Sequence, residues 1–412
     1  MRHFRLSSGR MLSLLGASIL CCSSAGNALA GHQNTAKPPS KPGSALKQIT
    51  LFTRKGKASP PTQEAKPKTQ IGDLTISGAT KTEGDTTGAA HLTGPDTEVE
   101  IPDKASKSVL FVHADDIRVS RVGKSPYGLI TLDRNVRYRL VQKTDSGERS
   151  LEGTAGHAEV RRTTKRLELT GGVRAKLTDA ARFKGTASLR TGSLQVETDA
   201  QPNRFHLDGA AANNDIQFTP LQSPPPKTDG KPAAPTPLGT IHIYGFRSGD
   251  LQFGEAIHLQ GASTACEFAS PDEKTSWRLQ GEQFEGEFVP KTSDLQRATV
   301  TDNVRFHLTQ PAADKKLQTT VDGTASRASY VRSEAGQETL VHGPLHIGFI
   351  DPLHLDGPGI VTAEKSATLA LKKSGGSFTY SLDDPLHTGK MQFTLKPFEE
   401  ATSKPATPTV PK

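Results

Sequence analysis

The sequence predicts an all-β protein: two repeated antiparallel β modules, built as a β-jelly roll or flattened β-solenoid, with disordered Pro/Lys-rich tails. Three observations carry this. First, the chain repeats itself. Residues 135–155 read NVRYRLVQKTDSGERSLEGTA and residues 303–325 read NVRFHLTQPAADKKLQTTVDGTA, and an internal repeat of this length points to stacked supersecondary units. Second, apolar residues alternate with polar ones. Val136, Tyr138 and Leu140 oppose Arg137 and Arg139, and Val304, Phe306 and Leu308 oppose Arg305 and His307. That period of two is the mark of a half-buried strand. Third, only 33% of residues are hydrophobic, while there are 38 Gly and 28 Pro, which favours short strands and many turns over a large helical core.

Taken in chain order, residues 1–30 read as an export signal. Arg2, Arg5 and Arg10 precede the short apolar run Met11 to Cys22, and Ala28-Leu29-Ala30 is a small-x-small cleavage site. The run is too short for a membrane span, which takes about 20 residues; retention as an anchor and lipidation at Cys21 or Cys22 are the competing fates. After cleavage Cys266 is the one remaining cysteine, so no intramolecular disulfide forms and Cys266 is expected to be a small buried residue. Residues 31–70, rich in Lys, Pro, Ser and Thr, read as a disordered arm. Residues 71–219 form the first module. Residues 220–238 (PLQSPPPKTDGKPAAPTPL) are a Pro-rich linker or exposed loop. Residues 239–395 form the second module and 396–412 a disordered tail. Alternation continues at Val173/Ala175/Leu177, Phe205/Leu207, Ile216/Phe218, Ile241/Ile243, Leu251/Phe253, Ile257/Leu259, Leu345/Ile347/Phe349 and Leu353/Leu355. Turns are expected at Ser146-Gly147, Gly171-Gly172, Asp208-Gly209, Ser248-Gly249, Asp322-Gly323 and Asp356-Gly357. Strands with one apolar and one charged face need a second sheet to cover them.

The segment 153–177, GTAGHAEVRRTTKRLELTGGVRAKL, resembles the repeat of the OstA-like family of periplasmic lipopolysaccharide-transport proteins (LptA and LptC). Ala155, Ala158 and Val160 fit its small-residue strand; Leu167, Leu169, Gly172 and Val173 fit the L-x-L-x-G-x-V strand that follows. Ala325, Ala328, Tyr330, Leu340, Gly343 and Leu345 match in the second module, the last three more loosely. The resemblance implies a half-open β-jelly roll that holds acyl chains inside and docks end to end with other OstA-like β modules. The chain departs from the family in its length, its Pro-rich insert and its tails.

The inward residues Val136, Tyr138, Leu140, Leu169, Val173, Val304, Phe306, Leu308 and Leu345 are the candidate ligand-binding set; the plain alternative is that they fill an ordinary core. Arg137, Arg139, Arg174 and Lys176 form outward basic rows, read either as anion contacts or as a solvated face that protects sheet edges. His342, His346 and His354, with Asp351 and Asp356, match no zinc spacing, although His342 and His346 would share a strand face. Trp277 is expected at the core or its rim. The adjacent carboxylates Asp115 and Asp116 point to opposite faces of a strand, and nucleophile-elbow, phosphate-loop and zinc-protease motifs are absent. The reading is therefore a non-enzyme that needs no cofactor. The net charge of +8 falls to +5 without the leader arginines. With 5% aromatics, nucleic acid is a poor partner. The sequence reading is a periplasmic protein that binds or shuttles an amphipathic envelope lipid, lipopolysaccharide or similar, touches membranes only peripherally, and docks β modules by edge-strand addition. The alternative is a structural or adhesive envelope protein with a filled core.

Overall fold

The computed structural model describes residues 68–394, apart from 86–88, 146, 201–202, 223–235, 238, 271–273, 290–294, 312–316, 334–335, 354, 375–376 and 393. The expected signal segment, nearly all of the arm and the C-terminal tail lie outside the described residues. Residues 68–70, read from the sequence as arm, open the first strand, Lys68–Ile71.

Eight long strands carry the architecture: Ser125–Thr144, Gly147–Arg161, Arg166–Asp179, Thr186–Glu197, Ala256–Ala269, Ser276–Phe288, Leu295–Pro311 and Gln318–Ser333. Neighbours pair antiparallel. Most of their ladders break once near the middle, as between Asp133 and Val136, Thr170 and Val173, and Thr301 and Val304. There each strand turns a corner and passes from one layer to the other. Two stacked layers result, with their apolar faces opposed. The first holds such segments as 129–133, 157–161 and 166–170; the second holds 136–144, 147–155 and 173–179. Elsewhere the same path is made by pairs of short strands. Arg204–Asp208 and Asp215–Phe218 are one such pair, and Thr240–Tyr244 and Ser248–Gln252 another.

The repeated motif explains the corners. In Asp133-Arg134-Asn135-Val136-Arg137 and in Thr301-Asp302-Asn303-Val304-Arg305, two successive residues adopt positive φ: 65° and 55° in the first copy, 62° and 53° in the second. Asn is among the few L residues that tolerate this region. Its amide also ties the corner down, donating to Asp115 at 2.6 Å in one copy and to Glu282 at 2.5 Å in the other. Thr170-Gly171-Gly172-Val173-Arg174 makes a third corner with two glycines at φ 81° and 82°. Past each corner Val turns inward and Arg outward.

The aromatic residue that follows has a cross-strand partner with no side chain. Tyr138 lies opposite Gly153 and Phe306 opposite Gly323. A Cβ on Gly153 would sit 2.6 Å from the Tyr138 hydroxyl, and one on Gly323 would sit 2.2 Å from the Phe306 ring. The Gly-Thr-Ala signature is thus a strand segment beneath a ring, which is how aromatic cover stabilises a strand glycine. This corrects the turn expected at Asp322-Gly323, which lies inside a strand. Ser248-Gly249 likewise lies in a strand, where a Gly249 Cβ would come 2.7 Å from the His258 carbonyl oxygen. Gly171-Gly172 is a corner within a strand and not a chain reversal, and Leu353 lies in a turn.

Pairing runs without interruption from the first repeat to the second. Phe205–Asp208 pairs with Ser248–Leu251, and Asp215–Phe218 with Ile241–Tyr244. The Pro-rich segment therefore leaves from a hairpin of the second layer, where Leu221 and Gln222 still pair with Pro237 and Thr236. Buried apolar side chains from Leu74 to Leu371 form one core cluster.

Candidate functional site

All nine candidate residues point into the space between the layers and are buried. Arg137, Arg139, Arg174 and Lys176 are exposed on the outside. The two layers are joined covalently along the corners. Along the opposite margin hairpin ends face one another, and among the described residues side chains cross the gap, as from Arg162 to Asp73 and from Lys165 to Asp103.

In the first half this margin opens into a cavity of about 390 Å3. Ile101, Leu110 and Leu140 of the second layer and Tyr127 and Val160 of the first form its apolar walls. Of the nine candidates, only Leu140 borders it. The mouth is charged. Arg162 reaches Asp73 at 2.5 Å, Lys165 reaches Asp103 at 2.6 Å, and Arg166 lies 3.8 Å from Glu197. Burial acts to raise the Asp103 pKa, but hydrogen bonds from Lys165, Ser106 and the Ala105 N–H outweigh it and hold the carboxyl below its ordinary value.

Next to this cavity the inner face of the second layer is arranged in cross-strand rows. One row is Leu110, Leu140, Leu151 and Leu177. The row beside it, at the margin, is Ser108, Gln142, Arg149 and Asp179. These polar residues are all buried; Gln142 is 1% exposed. Arg149 Nε donates to Asp179 at 2.9 Å. Arg182 lies 3.7 Å from the same carboxylate and donates across the gap to the Phe253 carbonyl. Burial, together with the charge of Arg149, lowers the Arg182 pKa against the pull of Asp179 and Glu255. Beyond it Phe183, Phe205 and Phe218 meet Phe253 edge-on at 5.0 to 5.9 Å and close the margin. Both amide atoms of Gln142, Arg149 Nη1 and Asn203 Oδ1 are buried without a hydrogen-bond partner.

In the second half the described residues set large apolar side chains in the matching row. Phe218, Ile241, Phe268, Trp277, Leu308 and Val321 are successive cross-strand neighbours there, except that Trp277 additionally stacks on Phe268 at 5.6 Å. Trp277 is thus a core residue, whereas Cys266 is only half-buried. A hollow of about 390 Å3 on the outer face of this half is formed by Arg278, Arg305, His307, Asp322 and His346 around Gly348.

His342 and His346 do not share a strand face. The chain turns at Gly343-Pro344, leaving His342 at the end of one strand and His346 on another. His342 contacts Thr368 at 3.1 Å, and burial together with Arg327 lowers its pKa. His354 lies outside the described residues, among which no three His, Cys, Asp or Glu side chains converge as metal ligands. Asp116 meets His91 and Arg134 at 3.1 and 3.2 Å, while Asp115 accepts the corner bond from Asn135.

The polar row was missed from sequence although alternation reaches it: Gln142 continues the inward series Val136, Tyr138, Leu140. Ile101 and Leu110 were missed because they lie on strands outside the repeat, and only pairing brings Leu110 opposite Leu140. No family model, curated protein or solved structure matches the chain.

Proposed function

We propose that the cleft between the layers holds the acyl part of an amphipathic envelope lipid, lipopolysaccharide-like in having a charged or sugar head. The observation that carries this reading is the opening at the first-half margin, with aliphatic walls inside and Arg162, Lys165 and Arg166 at its mouth. Dry aliphatic walls give acyl chains about 0.8 kcal/mol per buried methylene without directional contacts. Arginine and lysine at the rim suit an anionic or hydroxylated head that stays in water. The protein works by binding and handing on, with no covalent chemistry, at the outer side of the cytoplasmic membrane or beyond it. Assembly with other β modules uses the terminal strands. Among the described residues, Lys68–Ile71 and Lys81–Gly84 at one end, and Ser377–Asp383 and Lys390–Gln392 at the other, each pair on one side only, which suits strand addition.

Native mass spectrometry of protein purified from a lipopolysaccharide-containing host tests the reading. A bound lipid that denaturation releases is the expected result. Protein that emerges empty and takes up no added lipid counts against it. The aromatic row of the second half favours the structural reading for that half alone, where Trp277 and Phe268 occupy the corresponding space.

A further inference from the structure

Four polar atoms at the margin, one row beyond the cavity's Leu110 and Leu140, are buried and unsatisfied: Gln142 Nε2, Gln142 Oε1, Arg149 Nη1 and Asn203 Oδ1. Leaving such an atom unpaired forfeits its hydration with no hydrogen bond in return. A core that kept them for packing alone would be improved by apolar replacements. They are also close together in the fold. Gln142 stands directly across from Ser108 on one side and Arg149 on the other. Ser108 and Leu140, the inward residue preceding Gln142, are both cavity walls. Asn203 and Arg149 line one space of about 10 Å3 together with Asp179 and Arg182, so a ligand group enters it only as the margin parts. Two of the four atoms are donors and two are acceptors, so a bare carboxylate or phosphate would leave the acceptors unmet. A neutral group with one carbonyl and one N–H meets both kinds.

We infer that the Gln142–Arg149–Asn203 margin is a binding site for the amide linkage of an N-acyl amphiphile whose chain lies in the adjoining cavity. The inference rests on the groove reading above and adds the chemistry of the linkage. The amide oxygen accepts from Gln142 Nε2 and Arg149 Nη1. The amide N–H donates to Gln142 Oε1 or Asn203 Oδ1. Asp179 holds the Arg149 guanidinium in place through the Nε bond, leaving Nη1 for the ligand. The repeat supplies an internal control: Gln310 occupies the position matching Gln142, but it is half-buried and faces Thr319 instead of an arginine.

The test is competition for a fluorescent apolar probe by three compounds with the same tail and the same terminal hydroxyl. These are N-dodecanoylethanolamine, the hydroxyethyl ester of dodecanoic acid, and the dodecyl ether of ethylene glycol. On the full chain the amide should bind best, the ester less well and the ether weakest, with about tenfold between first and last. Gln142→Leu should bring the three to within about twofold of one another while raising Tm, since it removes two unpaired buried atoms. Gln310→Leu should leave the ranking unchanged. Equal affinity of the three for the wild-type chain, which needs no variant to fold, overturns the site and leaves the groove standing; buried water then accounts for the polar atoms. Failure of all three to displace the probe overturns both. A ranking that survives Gln142→Leu overturns the assignment to this margin.

Discussion

Along the inner face of the second layer, one row reads Leu110, Leu140, Leu151 and Leu177 in the first half and Phe268, Trp277, Leu308 and Val321 in the second. Leu140 and Leu308 hold the same place in the repeat, and so do Gln142 and Gln310. Both copies keep the positive-φ corner, the inward valine and the ring over a glycine. They part at the margin. Leucines leave a 390 Å3 opening there, backed by a buried polar row; in the other half a stacked Phe268–Trp277 pair takes the room. The features that make the layers turn are retained in both copies, while those that set what fits between the layers differ. Under the proposed function, the duplicated sheet devotes one half to holding itself together and the other to holding a lipid.

Four measurements break or sharpen this contrast. Trp277→Ala should cost about 3–5 kcal/mol in urea unfolding and leave lipid binding in the first half intact. A small cost would mean that the second half is not filled. Leu308→Trp should destabilise by about 1–3 kcal/mol as overpacking does, whereas Leu140→Trp should cost less than about 1 kcal/mol, because its ring enters existing space, and should block lipid uptake. Equal costs at the two sites would erase the distinction. Asn135→Ala and Asn303→Ala should each cost about 1–2 kcal/mol, since alanine is strained at positive φ, and the two glycine variants much less. Unequal costs would show that the corners are not equivalent. The smallest effect concerns the mouth. The folded-state pKa of Asp103 lies below its unfolded value, so its contribution is complete above the unfolded value of 3.8 and is lost as pH falls through the lower folded value. With Lys165 well exposed, the loss is about 0–1 kcal/mol. Asp103→Asn should flatten that part of the stability–pH curve.

Much of the layering was legible in the sequence. Alternation placed Val136, Tyr138, Leu140, Val304, Phe306 and Leu308 inward, and all six are buried. The corners were not legible. Asp322-Gly323 and Ser248-Gly249 carry turn residues yet lie in strands, because glycine there makes room for a neighbour and not for a reversal. His342 and His346 fall on separate strands because Gly343-Pro344 interposes a corner. The polar margin was hidden for a different reason. Gln142, Arg149 and Asp179 lie far enough apart in sequence to look like solvated strand ends, and only register sets them in one buried row. Ile101 and Leu110 sit on strands outside the repeat, and only register sets Leu110 opposite Leu140.

The layers resemble a book sewn along one side. The spine is peptide backbone, renewed at every corner. Among the described residues the fore-edge carries clasps over the shared core: Arg162 on Asp73, Lys165 on Asp103, Arg182 on the Phe253 carbonyl, and the rings around Phe253. Parting the covers breaks those clasps and no ladder hydrogen bond. Under the proposed function, a bulky guest enters from the side where the clasps are few, without threading from an end and without breaking a ladder.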